Sequence, residues 1–359
     1  MKFIHCGDLH LGMKPDADRP WGPERARAVA ESLQKLVAAA RAEKVQLLLI
    51  AGDLFHHQPL LRELKEAAYL FSTIPETQVV IIAGNHNRIR ESSAVLSFQW
   101  PGNVCYFTEE ALTSAFFPSL NTEVWGFSYH SREITENRLA GFTAPENDRI
   151  RILLCHGGDA KHLPFDFREL AGAGFSYCAL GHIHRPHVVS TAQIVYCGSP
   201  EPLDLTESGP HGYYLGEISD TTRQVETLSF VPLSEVQYIS LVAEVSPAST
   251  NAELQSGLAG EMEKRGARNI YRVKLRGMRD PDLSFDLEPL KDRFRVVEFL
   301  DESEPKYDFS RLFAEHPSDM IGFFVQALDK PEMSELDKKA LYYGVHALLQ
   351  TTEERSGAQ

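Results

Sequence analysis

Short apolar runs alternate with longer amphipathic stretches through about the first 200 residues, the pattern of a mixed α/β domain. Lys2–Cys6, Val45–Ala51 and Val79–Ala83 predict strands. The last two are nearly continuous apolar runs, as expected for a sheet covered on both faces. Between the first two, Val29, Leu33, Leu36, Val37 and Ala40 share one face of a helix that has Pro23 near its first turn. Leu64, Ala68 and Phe71 make a second, shorter stripe. Further strands are predicted at Val104–Phe107, Val124–Phe127, Ile152–Cys155, Tyr177–Leu180 and Ile194–Tyr196, and Gly212–Val231 reads as a hairpin closing a first domain over 1–231.

Near Pro232 the texture changes. Strands at Ile239–Val245, Ile270–Arg276 and Arg295–Leu300, with a helix at Ala252–Lys264, predict a small α+β domain over 232–303. Glu302 to Lys306 reads as a polar linker containing a proline. A helical segment over 304–359 then holds two helices, Asp319–Leu328 and Glu335–Leu349, the second opened by Ser334 with Asp337 in capping-box spacing. Met320, Phe324, Ala327 and Leu328 form one stripe, and Leu336, Ala340, Tyr343 and Ala347 another.

Composition narrows the class. The chain has 359 residues, 43% of them hydrophobic and 24% charged, an ordinary balance for a globular protein. Its 36 basic and 50 acidic side chains give a net charge of −14, which excludes a protein that coats polyanions with its whole surface. No apolar run approaches the roughly 20 residues of a membrane span, and the start of the chain reads as lacking a signal peptide. Five cysteines without a CxxC pair read as reduced thiols, so a cytoplasmic location is expected.

Chemistry gathers where the predicted strands end. Gly7-Asp8-Leu9-His10 follows the first strand, Gly52-Asp53 the second and Gly84-Asn85-His86 the third. Cys155-His156-Gly157 and Gly181-His182-Ile183-His184 close two later ones. In an open α/β sheet such loops meet at one edge. Imidazole and carboxylate donors together favour a pair of divalent transition metals, Mn with Fe or Zn as alternatives, over Mg or Ca.

The ordered set DxH, GDxF, GNH, H and GHxH resembles the calcineurin-like metallophosphoesterase superfamily. Asp53-Leu54-Phe55-His56 with Pro59 beyond it, and Tyr196-Cys197-Gly198-Ser199-Pro200 after GHxH, resemble the SbcD-like DNA-repair nucleases, closest in layout to bacterial exonucleases of the YhaO type. The resemblance implies a metallophosphoesterase β-sandwich flanked by helices, with a small capping domain and a C-terminal helical pair. One metal would be held by Asp8, His10 and His184, the other by Asn85, His156 and His182, with Asp53 between them. The implied catalytic residues are His86, protonating the departing 3′ oxygen, and His56, touching a phosphate at the rim. The family motif carries Asp or Glu where this chain has Asn87. An uncharged neighbour that orients His86 predicts lower activity or a more acidic pH optimum, with metal binding retained. The implied partners are DNA, a second copy of the chain and an SbcC-like coiled-coil ATPase that the C-terminal helices would bind.

Seven basic and no acidic residues lie between Lys264 and Arg279. Arg272, Lys274 and Arg276 alternate with apolar neighbours, so a strand there puts three cations on one face. A phosphate backbone bound on that face would be held without sequence preference. The expected activity is metal-dependent DNA exonuclease, with single-strand endonuclease activity as an accompaniment. A small-molecule phosphodiesterase and a non-catalytic scaffold of the same fold are the alternatives.

Overall fold

A computed structural model describes residues 1–190 and 193–356. It divides into two compact units, Met1–Ile239 with Arg268–Ile270, and Ser240–Ala267 with Tyr271–Gln359. The first unit begins with β1 (Lys2–Cys6), α1 (Gly22–Ala42), β2 (Leu47–Ile50), α2 (Leu61–Ser72), β3 (Gln78–Ile82), β4 (Val104–Phe107), β5 (Thr113–Phe117) and β6 (Thr122–Gly126). It continues with β7 (Ile150–His156), α3 (Phe167–Gly172), β8 (Tyr177–Gly181), β9 (His187–Ser190), β10 (Ile194–Tyr196), β11 (Gly212–Ile218) and β12 (Val225–Pro232).

These strands form two six-stranded sheets, ordered β12-β11-β1-β2-β3-β4 and β5-β6-β7-β8-β10-β9. Side-chain alternation explains why the strand sequences are apolar throughout. Leu47 and Leu49 of β2, with Phe3, Val80 and Ile82, pack against Val124, Ile152, Leu154, Ala179 and Val195 of the other sheet. Leu48 and Ile50, with Ile4, Cys6, Val79 and Ile81, face Leu33, Leu36 and Val37 of α1 and Leu64 and Phe71 of α2. The opposite outer face buries Leu153, Cys155, Cys178 and Leu180 against Leu170 of α3 and Phe175. The result is a β-sandwich flanked by helices. This is the sandwich that the family resemblance implies, where strand ends alone suggested one open sheet, and it forms because each sheet has one face to bury against the other.

Within the first sheet β1, β2, β3 and β4 run parallel, and within the second β6, β7, β8 and β10 do. Parallel pairing puts all carboxyl ends of a sheet at one edge. Three of the chemical loops therefore leave β1, β2 and β3, and two leave β7 and β8. Strands β5 and β9 escaped the sequence reading. β5 is a half-polar Thr-Ser-Ala-Phe-Phe at a sheet edge, and β9 has two exposed residues of its four. The five cysteines are free thiols.

In the second unit β13 (Tyr238–Val245), α4 (Asn251–Arg265), β14 (Ile270–Arg279), β15 (Arg295–Asp301) and β16 (Glu304–Pro305) build a small sheet with one helix. Thr250 opens α4, accepting from the Glu253 amide in a capping box. The predicted linker is in part a strand. Glu304 and Pro305 pair in parallel with Met278 and Arg279 of β14, a place where proline is tolerated because the strand lies at an edge. Helices α5 (Phe309–Glu315), α6 (Met320–Leu328) and α7 (Glu335–Ser356) follow.

The two predicted helical stripes are buried only in part. The buried set is Val325, Leu341 and Val345, packed with Phe324, Leu328 and Leu349. Met320, Leu336 and Tyr343, members of the two predicted stripes, are 67%, 76% and 57% exposed. These helices carry apolar residues on more than one face, so period alone does not select which face docks. Among the described residues no helix is long and apolar enough to cross a membrane.

Candidate metal centre

The backbone brings the first two loops together. The amide of Asp8 donates to the Gly52 carbonyl at 3.0 Å, and that of His10 to the Asp53 carbonyl at 2.9 Å. Asp8, His10, Asp53 and His182 all adopt positive φ, at 51°, 47°, 45° and 90°. Each such non-glycine residue costs about 1–2 kcal/mol, and strain of this kind collects at functional sites. At Gly84 a Cβ would collide with Asp53 Oδ1 and His156 Nε2, so only glycine lets the third loop approach.

Donor atoms converge in four groups among the described residues, two of which share Asp8. Those of Asp8, His10 and His184 lie within 4.8 Å of one another, as do those of Asp8, Asp53 and His156. Nε2 of His10 is 3.2 Å from Nε2 of His184, and Nε2 of His156 is 2.9 Å from Asn85 Oδ1. Asp8 belongs to both groups, and Asp53 Oδ2 is 3.2 Å from His156 Nε2 and 3.9 Å from His10 Nε2. His182 is the least direct member. Its ring centroid is 5.2 Å from that of His156, and its Nε2 donates outward to Asp159 Oδ2 at 2.8 Å. Nδ1 is then the nitrogen left to it as a ligand atom.

Burial and charge set the protonation of this pocket. Burial pushes Asp8 up to about 6, against the pull of His156 and His184. Burial acts the same way on Asp53, but His156 and His10 overcome it and hold that carboxyl well below the ordinary range. Burial would lower His156, yet Asp53 and Asp8 raise it to about 9. His184 likewise rises to about 9 despite burial, through Glu207 and Asp8. His182 falls to about 4 by burial and repulsion from His156. His10 falls well below its usual value, chiefly by burial.

Whether a cation fits is answered by Asp8. Its Oδ1 is fully buried and has no hydrogen-bond partner, a costly state for a carboxylate oxygen. A group of imidazoles and carboxylates around such an orphaned oxygen is a donor set for divalent transition metals.

Three of the histidines have their second nitrogen tied down. His156 Nδ1 donates to the Ala51 carbonyl at 2.9 Å, His182 Nε2 to Asp159, and His184 Nδ1 to Glu207 Oε1 at 2.5 Å. Such partners fix the tautomer and orientation of a ligating imidazole. Sequence reasoning missed Asp159 and Glu207. Each is a lone carboxylate in a loop, with no motif to mark it.

His86 is exposed at the mouth. Its amide donates to Asp53 Oδ1 at 3.0 Å, and its ring lies 4.8 Å from that of His10 and 5.2 Å from that of His56. Nδ1 of His56 is 3.2 Å from Nδ1 of His10. Among the described residues the His86 ring makes no hydrogen bond. Asn87 does not orient it: its Oδ1 accepts from the Gly84 amide at 2.9 Å, and its Nδ2 is buried without a partner.

The strand face of the second unit has the predicted alternation, with Tyr271, Val273 and Leu275 buried. Its cations, however, are matched. Arg272 pairs with Glu298, and Lys274 and Arg276 with Glu302 at 3.0 and 3.1 Å. These carboxylates come from outside the basic run, which is why reading the run alone overstated the positive field.

Residues 1–186 match the family model described as calcineurin-like phosphoesterase. An uncharacterised metallophosphoesterase, YhaO of Bacillus subtilis, is 27% identical over 300 residues, covering 77% of this chain and 72% of its own. A DNA double-strand break repair protein Mre11 from Halobacterium salinarum is 24% identical over 268 residues, 72% of this chain and 66% of its own. The SbcD component of nuclease SbcCD from Bacillus subtilis is 24% identical over 257 residues, 58% of this chain and 64% of its own.

Proposed function

Because this chain belongs to the calcineurin-like phosphoesterase family, whose members use a dinuclear metal centre, we propose that it hydrolyses phosphodiester links at DNA ends during repair. The likeness to proteins named as Mre11 and as the SbcD component of a nuclease supports DNA as the substrate. The observation that carries the metal chemistry is the Asp53 carboxylate, placed between His10 and His156 beside the orphaned oxygen of Asp8.

Asp8, His10 and His184 hold one ion in this reading, and Asn85, His156 and His182 the other, with Asp53 shared. Two divalent ions, manganese with iron or zinc as alternatives, supply positive charge against the phosphoryl oxygens as the link breaks. Ala51, Asp159 and Glu207 keep three imidazoles turned toward that work. His86, exposed and with a ring that makes no hydrogen bond among the described residues, places a proton at the departing 3′ oxygen. His56 stands beside it and meets a phosphate at the rim. Asn87, which holds the Gly84 amide, gives His86 no neighbouring negative charge, which supports the expected lower activity or more acidic pH optimum.

Residues 1–231 would act as the nuclease domain, 232–303 as a capping domain and 304–359 as a docking segment. The exposed Met320, Phe323, Leu336 and Tyr343 of α6 and α7 would meet a coiled-coil ATPase, and the nuclease domain would pair with a second copy. The test is manganese-dependent release of nucleotides from linear duplex DNA, compared with turnover of bis-p-nitrophenyl phosphate. Release of nucleotides is the expected result. Turnover of the small ester without DNA degradation would contradict the DNA reading.

A further inference from the structure

Loop 86–93 leaves the metal pocket at His86 and carries Arg88 and Arg90. It is held rigidly: the Ile89 amide donates to the Tyr129 carbonyl at 2.6 Å, and Gln58 Nε2 donates to the Arg88 carbonyl at 2.7 Å. The Arg90 amide donates to Ser93 Oγ at 2.8 Å, and that hydroxyl donates to Gln58 Oε1 at 2.7 Å. Ile89 and Tyr129 are 2% and 1% exposed, so the join is a buried anchor rather than a surface contact. Tyr129 also donates its hydroxyl to the His156 carbonyl at 2.8 Å, which ties this anchor to the pocket wall. Arg132 follows Tyr129 by three residues, on the segment that the anchor holds beside the loop.

The Arg88 guanidinium lies in the field of the other two. Partial desolvation, then repulsion by Arg90 and Arg132, hold Arg88 below the usual arginine value. Among the described residues none of the three is in an ion pair with a carboxylate. Glu133, next to Arg132, pairs with Lys161 at 3.9 Å instead. In a chain of net charge −14, three unmatched arginines on one anchored platform contrast with the matched cations of β14.

We propose that Arg88, Arg90 and Arg132 form a phosphate grip for a nucleic-acid strand, holding backbone phosphates adjacent to the link cleaved over the metal pocket. The inference rests on the nuclease reading and adds to it where the strand lies. Guanidinium forks match phosphate oxygens in a bidentate way. A grip of this kind would favour a polynucleotide, which offers several phosphates, over a diester that offers one.

Binding of phosphorothioate-linked single-stranded oligonucleotides of two to eight nucleotides, followed by fluorescence anisotropy with manganese over a range of salt, tests this. Wild-type affinity should rise with length over the first few nucleotides. In Arg88→Gln/Arg90→Gln/Arg132→Gln the length dependence should flatten, and the slope of log K against log salt should fall by about 2, at about 0.7 per phosphate on a single strand. Manganese stoichiometry and the thermal midpoint should be unchanged. Arg132→Gln alone, on an exposed loop, should lower the slope by about 0.7 and serves if the triple variant misfolds. A slope and a length dependence equal to wild type overturn the grip while leaving the nuclease reading standing. A wild-type protein that turns over bis-p-nitrophenyl phosphate but binds and cleaves no oligonucleotide overturns both.

Discussion

Glu207 Oε1 accepts a hydrogen bond from Nδ1 of His184 at 2.5 Å, which leaves Nε2 of that ring facing His10 and Asp8. Replacing Glu207 by Gln keeps the volume but removes the charge that holds the ring and raises its basicity. Manganese affinity at one of two sites should fall about 10–100-fold, while the other site is little changed. Isothermal titration of metal-stripped protein measures this, and equal affinities in both proteins would contradict it.

Protons should leave when metal enters. His156 and His184 are both raised to about 9, so each carries a proton at pH 7 in the metal-free pocket. An imidazole must be neutral to ligate, so manganese binding at pH 7 should release about two protons. Affinity should therefore climb as pH rises toward 9 and level off above it. The same raised values stabilise the metal-free fold below the unfolded value of 6.5, and that contribution is lost as pH rises through 9. Calorimetry in two buffers of different ionisation enthalpy counts the protons; a count of zero at pH 7 would refute the assignment.

Asn87 belongs to the loop rather than to the proton donor. Its Oδ1 holds the buried Gly84 amide, so Asn87→Ala leaves that donor without an acceptor. The expected loss is about 1–3 kcal/mol of stability, read by denaturant unfolding. Asn87→Asp keeps an acceptor in place and should lose less. An alanine variant as stable as wild type would show that the bond does not anchor the loop.

Arg25 of α1 is buried and pairs with Glu201 at 2.8 Å, while its second nitrogen donates to the Pro202 carbonyl at 2.6 Å. Both side chains are within 2% of fully enclosed. Arg25→Met strands the Glu201 carboxylate and should destabilise the protein by about 3–5 kcal/mol. Arg25→Met/Glu201→Leu should recover much of that loss. If the double variant is no more stable than the single one, an unpaired buried charge is not the cause.

The sequence made the strand ends legible because each carries glycine beside Asp, Asn or His, and parallel strands must align those ends. The apolar runs also placed β1 to β4 and the buried face of α1. What a one-dimensional reading missed depends on neighbours distant in the chain. Leu47 and Leu48 look alike in sequence, yet one faces a second sheet and the other a helix, so the sandwich does not follow from the runs alone. Asp159 and Glu207 have no signature until His182 and His184 are folded against them. Glu298 and Glu302 cancel the basic run from another strand and its end. Helices α6 and α7 are apolar on more than one face, and only packing decides that Val325, Leu341 and Val345 are inside.

Manganese titration of the metal-stripped chain, followed by electron paramagnetic resonance, addresses the pocket most directly. Two ions per chain, magnetically coupled in the wild type and uncoupled or reduced to one in Asp53→Ala, is the predicted result. Ions that bind singly, or independently of one another and of Asp53, would contradict a shared two-metal centre.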